Sequence, residues 1–255
     1  MKKILFGLVA IVGIFAVSQE AEASTKMYRL YNPNNGEHFY TEAWVERDSL
    51  FTKGWNYEDV AWLAPSSGEA VYRMYNPNAG DHHYTRDKNE VTMLKNSGWK
   101  EENIGWYSDS QQRVPMYRLY NPNAKTGTHH YTANQAEVDQ LKKIGWEYEG
   151  IGWYAENVDT STGVVPANIR GNFQGTNKYD GSVIRVAFAK NEIIAGGKSY
   201  VATAINSSGA NTLVSWDVAE FEKRYNVKVP GPQAFWMRPE GNHYIYGDVN
   251  TVYKK

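Results

Sequence analysis

His38, His82 and His129 occupy matching places in three similar stretches of the chain, and three imidazoles gathered on one axis could hold a zinc ion. Each stands between aromatic neighbours on an extended segment, where an imidazole more often bonds a backbone or carboxylate partner, so no metal and no other cofactor is expected. Two sets of carboxylates recur in the same way: Glu46, Glu90 and Glu137, and Glu58, Glu102 and Glu149. Paired carboxylates serve glycoside hydrolysis as acid and nucleophile. Catalysis, however, needs one asymmetric pair in two different environments, whereas equivalent copies point to a structural duty such as pairing with Arg29, Arg73 and Arg118. Ser215, Asp217 and His243 supply the residue types of a hydrolase triad, yet no GxSxG or HExxH run accompanies them.

Rings are the remaining chemistry. The chain has 19 Tyr, 9 Trp and 8 Phe, more polar-tipped rings than a core alone calls for. Trp62, Trp106 and Trp153, with Tyr40, Tyr84 and Tyr131 and the turn residues Asn32, Asn76 and Asn121, form the candidate ligand-binding set. A flat ring covers the apolar face of a pyranose while amides bond its hydroxyls. The competing reading has the tryptophans filling a shared centre and the asparagines only shaping turns. Trp55, Trp99 and Trp146 directly follow helix-ending glycines and read as core.

The elements that must position these residues are repeated. "YRLYNPNNGEHFYT", "YRMYNPNAGDHHYT" and "YRLYNPNAKTGTHHYT" begin at Tyr28, Tyr72 and Tyr117, followed by "GWNYEDVAW", "GWKEENIGW" and "GWEYEGIGW". Within a copy, "MYRLY" alternates as a half-buried strand, Pro, Asn and Gly reverse it, and "EHFYT" returns as its partner. A stretch with helical spacing then runs to Gly54, Gly98 or Gly145 as C-cap, and a third strand follows. The fold class expected is α+β, mainly β: three ββαβ units (about 27–70, 71–115 and 116–156) in a closed pseudo-threefold arrangement, with a trefoil-like or short propeller-like form as the neighbouring alternative.

This motif resembles an extracellular repeat of bacterial and fungal secreted proteins, catalogued as a domain of unknown function and common in sets of three, over roughly residues 27–156. Such repeats often accompany cell-wall hydrolases or other secreted enzymes, so the resemblance implies attachment to glycans; it assigns no functional residues. A linker, 157–166, leads to a small antiparallel β domain, 167–255. Strands are predicted at Val183 to Phe188, Ser199 to Ile205 and His243 to Tyr246, with one helix near Trp216 to Tyr225 capped by Ser215. Its opening, "IRGNFQGT", is weakly similar to the first strand of small lipocalin-like barrels on wall proteins of lactic-acid bacteria.

Residues 1–23 have the charged start, apolar run and small-x-small site of a secretory signal peptide, so an extracellular location, with association to a cell wall, is expected. Absence of cysteine leaves stability to packing. The near-balance of 27 Lys and Arg against 28 Asp and Glu disfavours nucleic acid, and no membrane partner is expected once the leader is removed. The leading expectation is a secreted, non-catalytic glycan or cell-wall binding protein whose partner is a polysaccharide or peptidoglycan surface. The alternatives are a scaffold for another secreted protein, presenting an inhibitor-like or toxin-like C-terminal domain, and a wall hydrolase acting through that domain.

Overall fold

The computed structural model describes residues 24–159, 163–208, 211–229, 234–246 and 250–255, and the leader lies outside them. The order strand, strand, helix, strand occurs three times. The first set is β1 (Thr25–Tyr31), β2 (His38–Thr41), α1 (Trp44–Thr52) and β3 (Asn56–Ala64). The second is β4 (Glu69–Asn76), β5 (Asp81–Thr85), α2 (Lys88–Asn96) and β6 (Lys100–Ser108). The third is β7 (Val114–Tyr120), β8 (His129–Thr132), α3 (Gln135–Lys143) and β9 (Glu147–Ala155). Each makes an antiparallel three-stranded sheet with its first strand in the middle.

The same local chemistry shapes each copy. Asn32, Asn76 and Asn121 turn their side-chain oxygens onto the backbone N–H two residues ahead, each at 3.0 Å, which closes the hairpin turn. Asp87 and Asn134 cap α2 and α3 through backbone N–H groups, whereas Ala43 offers α1 no side-chain cap. Gly54, Gly98 and Gly145 take φ of 109°, 90° and 95° just past each helix, a geometry that favours glycine.

The inner faces of the three sheets share one core. Met27, Tyr40 and Trp62 from the first copy pack with Val71, Tyr84 and Trp106 from the second and Met116, Tyr131 and Trp153 from the third. The three indoles touch pairwise with centroids 5.0 to 5.5 Å apart. Around them the tyrosines form a circuit: Tyr40 Oη donates to the Tyr131 carbonyl and accepts from its N–H, Tyr131 Oη does the same to Tyr84, and Tyr84 Oη to Tyr40. Each hydroxyl thus satisfies one backbone donor and one acceptor that no strand partner reaches. A buried ring of this size removes roughly 150–250 Å² from water, about 4–6 kcal/mol of gross transfer free energy at ~25 cal/mol/Å².

Residues 171–254 close into an eight-stranded antiparallel barrel rather than an open sheet, each strand pairing with the next and the last with the first. Its strands are β10 (Gly171–Thr176), β11 (Val183–Phe188), β12 (Glu192–Ala195), β13 (Lys198–Ser208), β14 (Asn211–Trp216), β15 (Ala234–Glu240), β16 (His243–Tyr246) and β17 (Asn250–Lys254). One helix, α4 (Val218–Tyr225), follows β14. Its cap is Asp217, which accepts from the Glu220 N–H, and not Ser215, which pairs with Ala234 in the sheet.

Strand alternation on β12 joins the two halves of the molecule. Ile193 and Ala195 face the barrel core, while Ile194 joins Tyr28, Leu30, Phe39, Phe51 and Tyr57 of the first copy. Most of the expected linker is held rather than loose. Asn157 bridges to Leu63, the Val165 N–H donates to the Lys190 carbonyl, and the Val165 side chain is fully buried; residues 160–162 lie outside the described set.

Candidate functional site

The structure seals the rings chosen for ligand binding. Trp62, Trp153, Tyr40 and Tyr84 are 0 % exposed, Tyr131 1 % and Trp106 3 %, so none of these faces can cover a sugar. Their indole N–H groups find no acceptor among the described residues and are committed to the core by ring contacts. Asn32, Asn76 and Asn121 sit at the hairpin turns with their oxygens spent locally, away from the indoles. Trp55, Trp99 and Trp146, read as core, are half-buried and stand edge-on to Phe39, His83 and His130 at 6.0, 6.3 and 6.3 Å. The set expected to face a ligand is thus the deeper of the two, and the set expected in the core the shallower.

What the copies do build together is a charged cluster at each junction. Arg29 of β1 pairs with Glu58 of β3 at 2.9 Å and approaches Glu137 of α3 at 3.8 Å. Arg73 of β4 pairs with Glu102 of β6 at 3.1 Å and with Glu46 of α1 at 2.9 Å. Arg118 of β7 pairs with Glu149 of β9 at 2.9 Å and with Glu90 of α2 at 3.0 Å. Every arginine therefore lies between a glutamate of its own copy and one from the preceding helix, the pairing that the recurrence of both glutamate sets suggests. Cavities of about 440 Å³ and about 350 Å³ open at two of these junctions, beside Arg29 and Arg118.

Behind each arginine runs a ladder of rings. Tyr31, His38, His130 and Trp146 follow one another at one junction, Tyr120, His129, His83 and Trp99 at the next, with centroid steps of 4.4 to 6.3 Å. At the third, Tyr75, His82, Phe39 and Trp55 repeat the order with Phe39 in place of the second histidine. His38, His82 and His129 therefore lie at three separate junctions, and no group of three or more His, Cys, Asp or Glu among the described residues is arranged to hold a metal ion.

Burial governs the titration of these clefts. Desolvation, the facing His130 and the nearby Arg29 charge bring His38 down to about 3, and desolvation, His83 and Arg118 do the same to His129. Burial opposes ionisation of Glu137, but His130, Thr132 and Arg29 outweigh it and hold the carboxyl at about 2. Glu90 is likewise lowered against its burial by His83, Thr85 and Arg118. His38 and His129 are thereby held neutral at ordinary pH, while Glu90 and Glu137 stay ionised.

The triad types in the C-terminal half do not assemble. Ser215 and Asp217 flank the end of β14, and the nearest charged group recorded for His243 is Glu240, at 3.5 Å. Sequence reasoning missed a second constellation, at the join between the halves. Arg47 of α1, fully buried, bonds Asp48 and Glu192 of the barrel, and its guanidinium lies 4.2 Å from the Tyr28 ring centroid. Tyr57 Oη and Arg224 also approach Glu192, and Tyr225 Oη donates to Asp48 at 3.0 Å. A signal was present in the sequence: Arg47 stands where the other copies carry Val91 and Val138, and Phe51 where they carry Lys95 and Lys142.

These features define a repeat-built β protein coupled to an eight-stranded barrel. The chain belongs to the family described as domain of unknown function (DUF5648), which matches residues 26–156, just over half of it. No curated protein and no solved structure matches the chain.

Proposed function

We propose that the chain is an exported, non-catalytic protein that holds a glycan or cell-wall polymer. In this reading three ββαβ copies close around a pseudo-threefold axis and bind through the clefts between them. The observation that carries it is the repeated cluster, with one guanidinium fork set between two carboxylates in each. Fixed donors beside fixed acceptors match the vicinal hydroxyls of a sugar without needing net charge or metal. The half-buried Trp99 and Trp146 supply ring faces on the second and third copies in place of the sealed indoles. Sites of one chemistry at fixed spacing gain by multivalency on a repetitive polymer. Export is supported by the layout of residues 1–23, and no helix among the described residues is long and apolar enough to cross a membrane.

Retention on insoluble peptidoglycan and other wall polysaccharides tests the reading. Glu58→Gln and Glu149→Gln, isosteric changes in two different clefts, should each lower retention by roughly two- to fivefold and more strongly together. A wild-type chain that stays in the supernatant ends the reading, and complete loss from one substitution excludes equivalent sites.

A second reading, a scaffold for protein contacts, draws on the join itself. The barrel packs its apolar face on the first copy, while the matching face of the third copy leaves Tyr148 44 % and Ile151 39 % exposed. Capture of a secreted protein, lost on Tyr148→Ser while polymer retention is absent, would select it.

A further inference from the structure

Where α1 meets the barrel, a pocket of about 340 Å³ opens beside the start of β11. Phe51, Val183, Ile184 and Tyr246 give it apolar walls, Thr52 and the turn from Ala195 to Gly197 complete it, and among the described residues Arg185 is the one charged group and no carboxylate lines it. The volume lies at the lower end of the 300–1,000 Å³ typical of small-molecule sites, room for roughly ten water-sized groups.

Arg185 is bonded unlike the cleft arginines. Its Nη1 donates to Gln174 Oε1 at 2.9 Å and its Nη2 to the Trp55 carbonyl at 3.1 Å, both neutral acceptors, while its buried Nε finds no acceptor among the described residues. The guanidinium lies 5.2 Å from the Phe51 ring centroid. Desolvation lowers its pKa, whereas Arg29, Arg73 and Arg118, desolvated too but flanked by carboxylates, are raised. A half-buried cation whose partners among the described residues are all neutral attracts an anion. The surrounding walls demand that the anion carry an apolar body.

We propose that this pocket binds a small amphipathic carboxylate of about eight carbons, its acid group on Arg185 and its hydrocarbon tail against Phe51, Ile184 and Tyr246. The site lies apart from the inter-copy clefts and does not rest on the glycan reading. It is composed by both halves of the chain, so only the joined molecule holds it.

Titration calorimetry of the full chain with octanoate, octanol and octylammonium tests this. Octanoate binds saturably at one per chain, octanol at least about tenfold more weakly for lack of the charge-assisted bond, and octylammonium not at all. Arg185→Gln brings octanoate down to the level of octanol, and Arg185→Lys restores part of the difference. Because Arg185 also ties the halves together through Trp55, a second variant is needed. Val183→Trp, at a position 67 % exposed and outside the core, leaves every bond of Arg185 in place and blocks the opening to octanoate and octanol alike. Absence of saturable octanoate binding by the wild-type chain, or binding unchanged in Val183→Trp, overturns the proposal.

Discussion

The first and third copies present the same pair of tyrosines on their outer faces and use it differently. Tyr28 and Tyr57 meet edge-on at 6.2 Å, Tyr117 and Tyr148 at 6.1 Å, with interplanar angles of 62° and 63°. Yet Tyr57 is 4 % exposed beneath the barrel and Tyr148 is 44 % exposed. The helix beside each pair decides the matter. Trp44, Arg47 and Phe51 of α1 offer a ring, a buried cation and another ring where α3 offers Gln135, Val138 and Lys142. Inward-facing rings, turn asparagines and cap glycines are shared and build the copy; outward helix positions are free to choose its neighbour. Fold and docking are thus specified by separate residues.

The largest way to break this comparison is Arg47→Ala. It leaves Asp48 and Glu192 buried without the cation they share and should cost the full chain about 3–5 kcal/mol in urea unfolding. Val138→Ala at the matching place should cost about 2 kcal/mol, as a methyl-deletion effect only. Replacing Arg47 and Glu192 together by Met should recover part of the loss, since Asp48 keeps only its bond from Tyr225, and no recovery at all would mean that the join depends on something other than this pair. Next in size, Tyr40→Phe, Tyr84→Phe and Tyr131→Phe each strip a shared backbone N–H and carbonyl of their partner and should each cost about 1–3 kcal/mol. Equal costs across the three would place the circuit in the common plan, whereas a cost confined to the first copy would tie it to docking.

Acidity gives the smallest and finest test. His38 and His129 are held at about 3 in the fold against an ordinary value of 6.5, so the unfolded chain binds more protons between those limits. Stability should therefore fall as pH drops from about 6.5 towards 3, and Glu137, held at about 2, extends the loss below its ordinary 4.5. His129→Gln removes one of these protons and should move the midpoint of acid unfolding, followed by circular dichroism, down by on the order of half a unit.

Much of the repeat was legible because its signals are local. The Asn-Pro-Asn turns, the alternating strand residues and the cap glycines act within a few positions, and recurrence reads each of them three times. The tryptophan assignment failed because position along the chain and depth are different quantities. Trp55 follows a helix end and looks enclosed but is covered on only part of its surface, while Trp62 lies at an inward position of β3 that meets the other two copies. Barrel closure rests on Phe173 pairing with Lys254, and docking on Arg47 reaching Glu192, 145 residues away. No periodicity announces contacts of that separation. The clefts fall between these cases: the arginines and glutamates were recognised as partners, but which copy supplied each carboxylate required the junctions themselves.

The tyrosine circuit is also limited to its present size. Every hydroxyl in it is already donor and acceptor to one neighbour, and every backbone group it serves is taken, so a fourth tyrosine would find no free bond in the circuit and removal of one would leave two neighbours unmatched. Among these tyrosines the third bond returns to the first ring, so the circuit is complete at three.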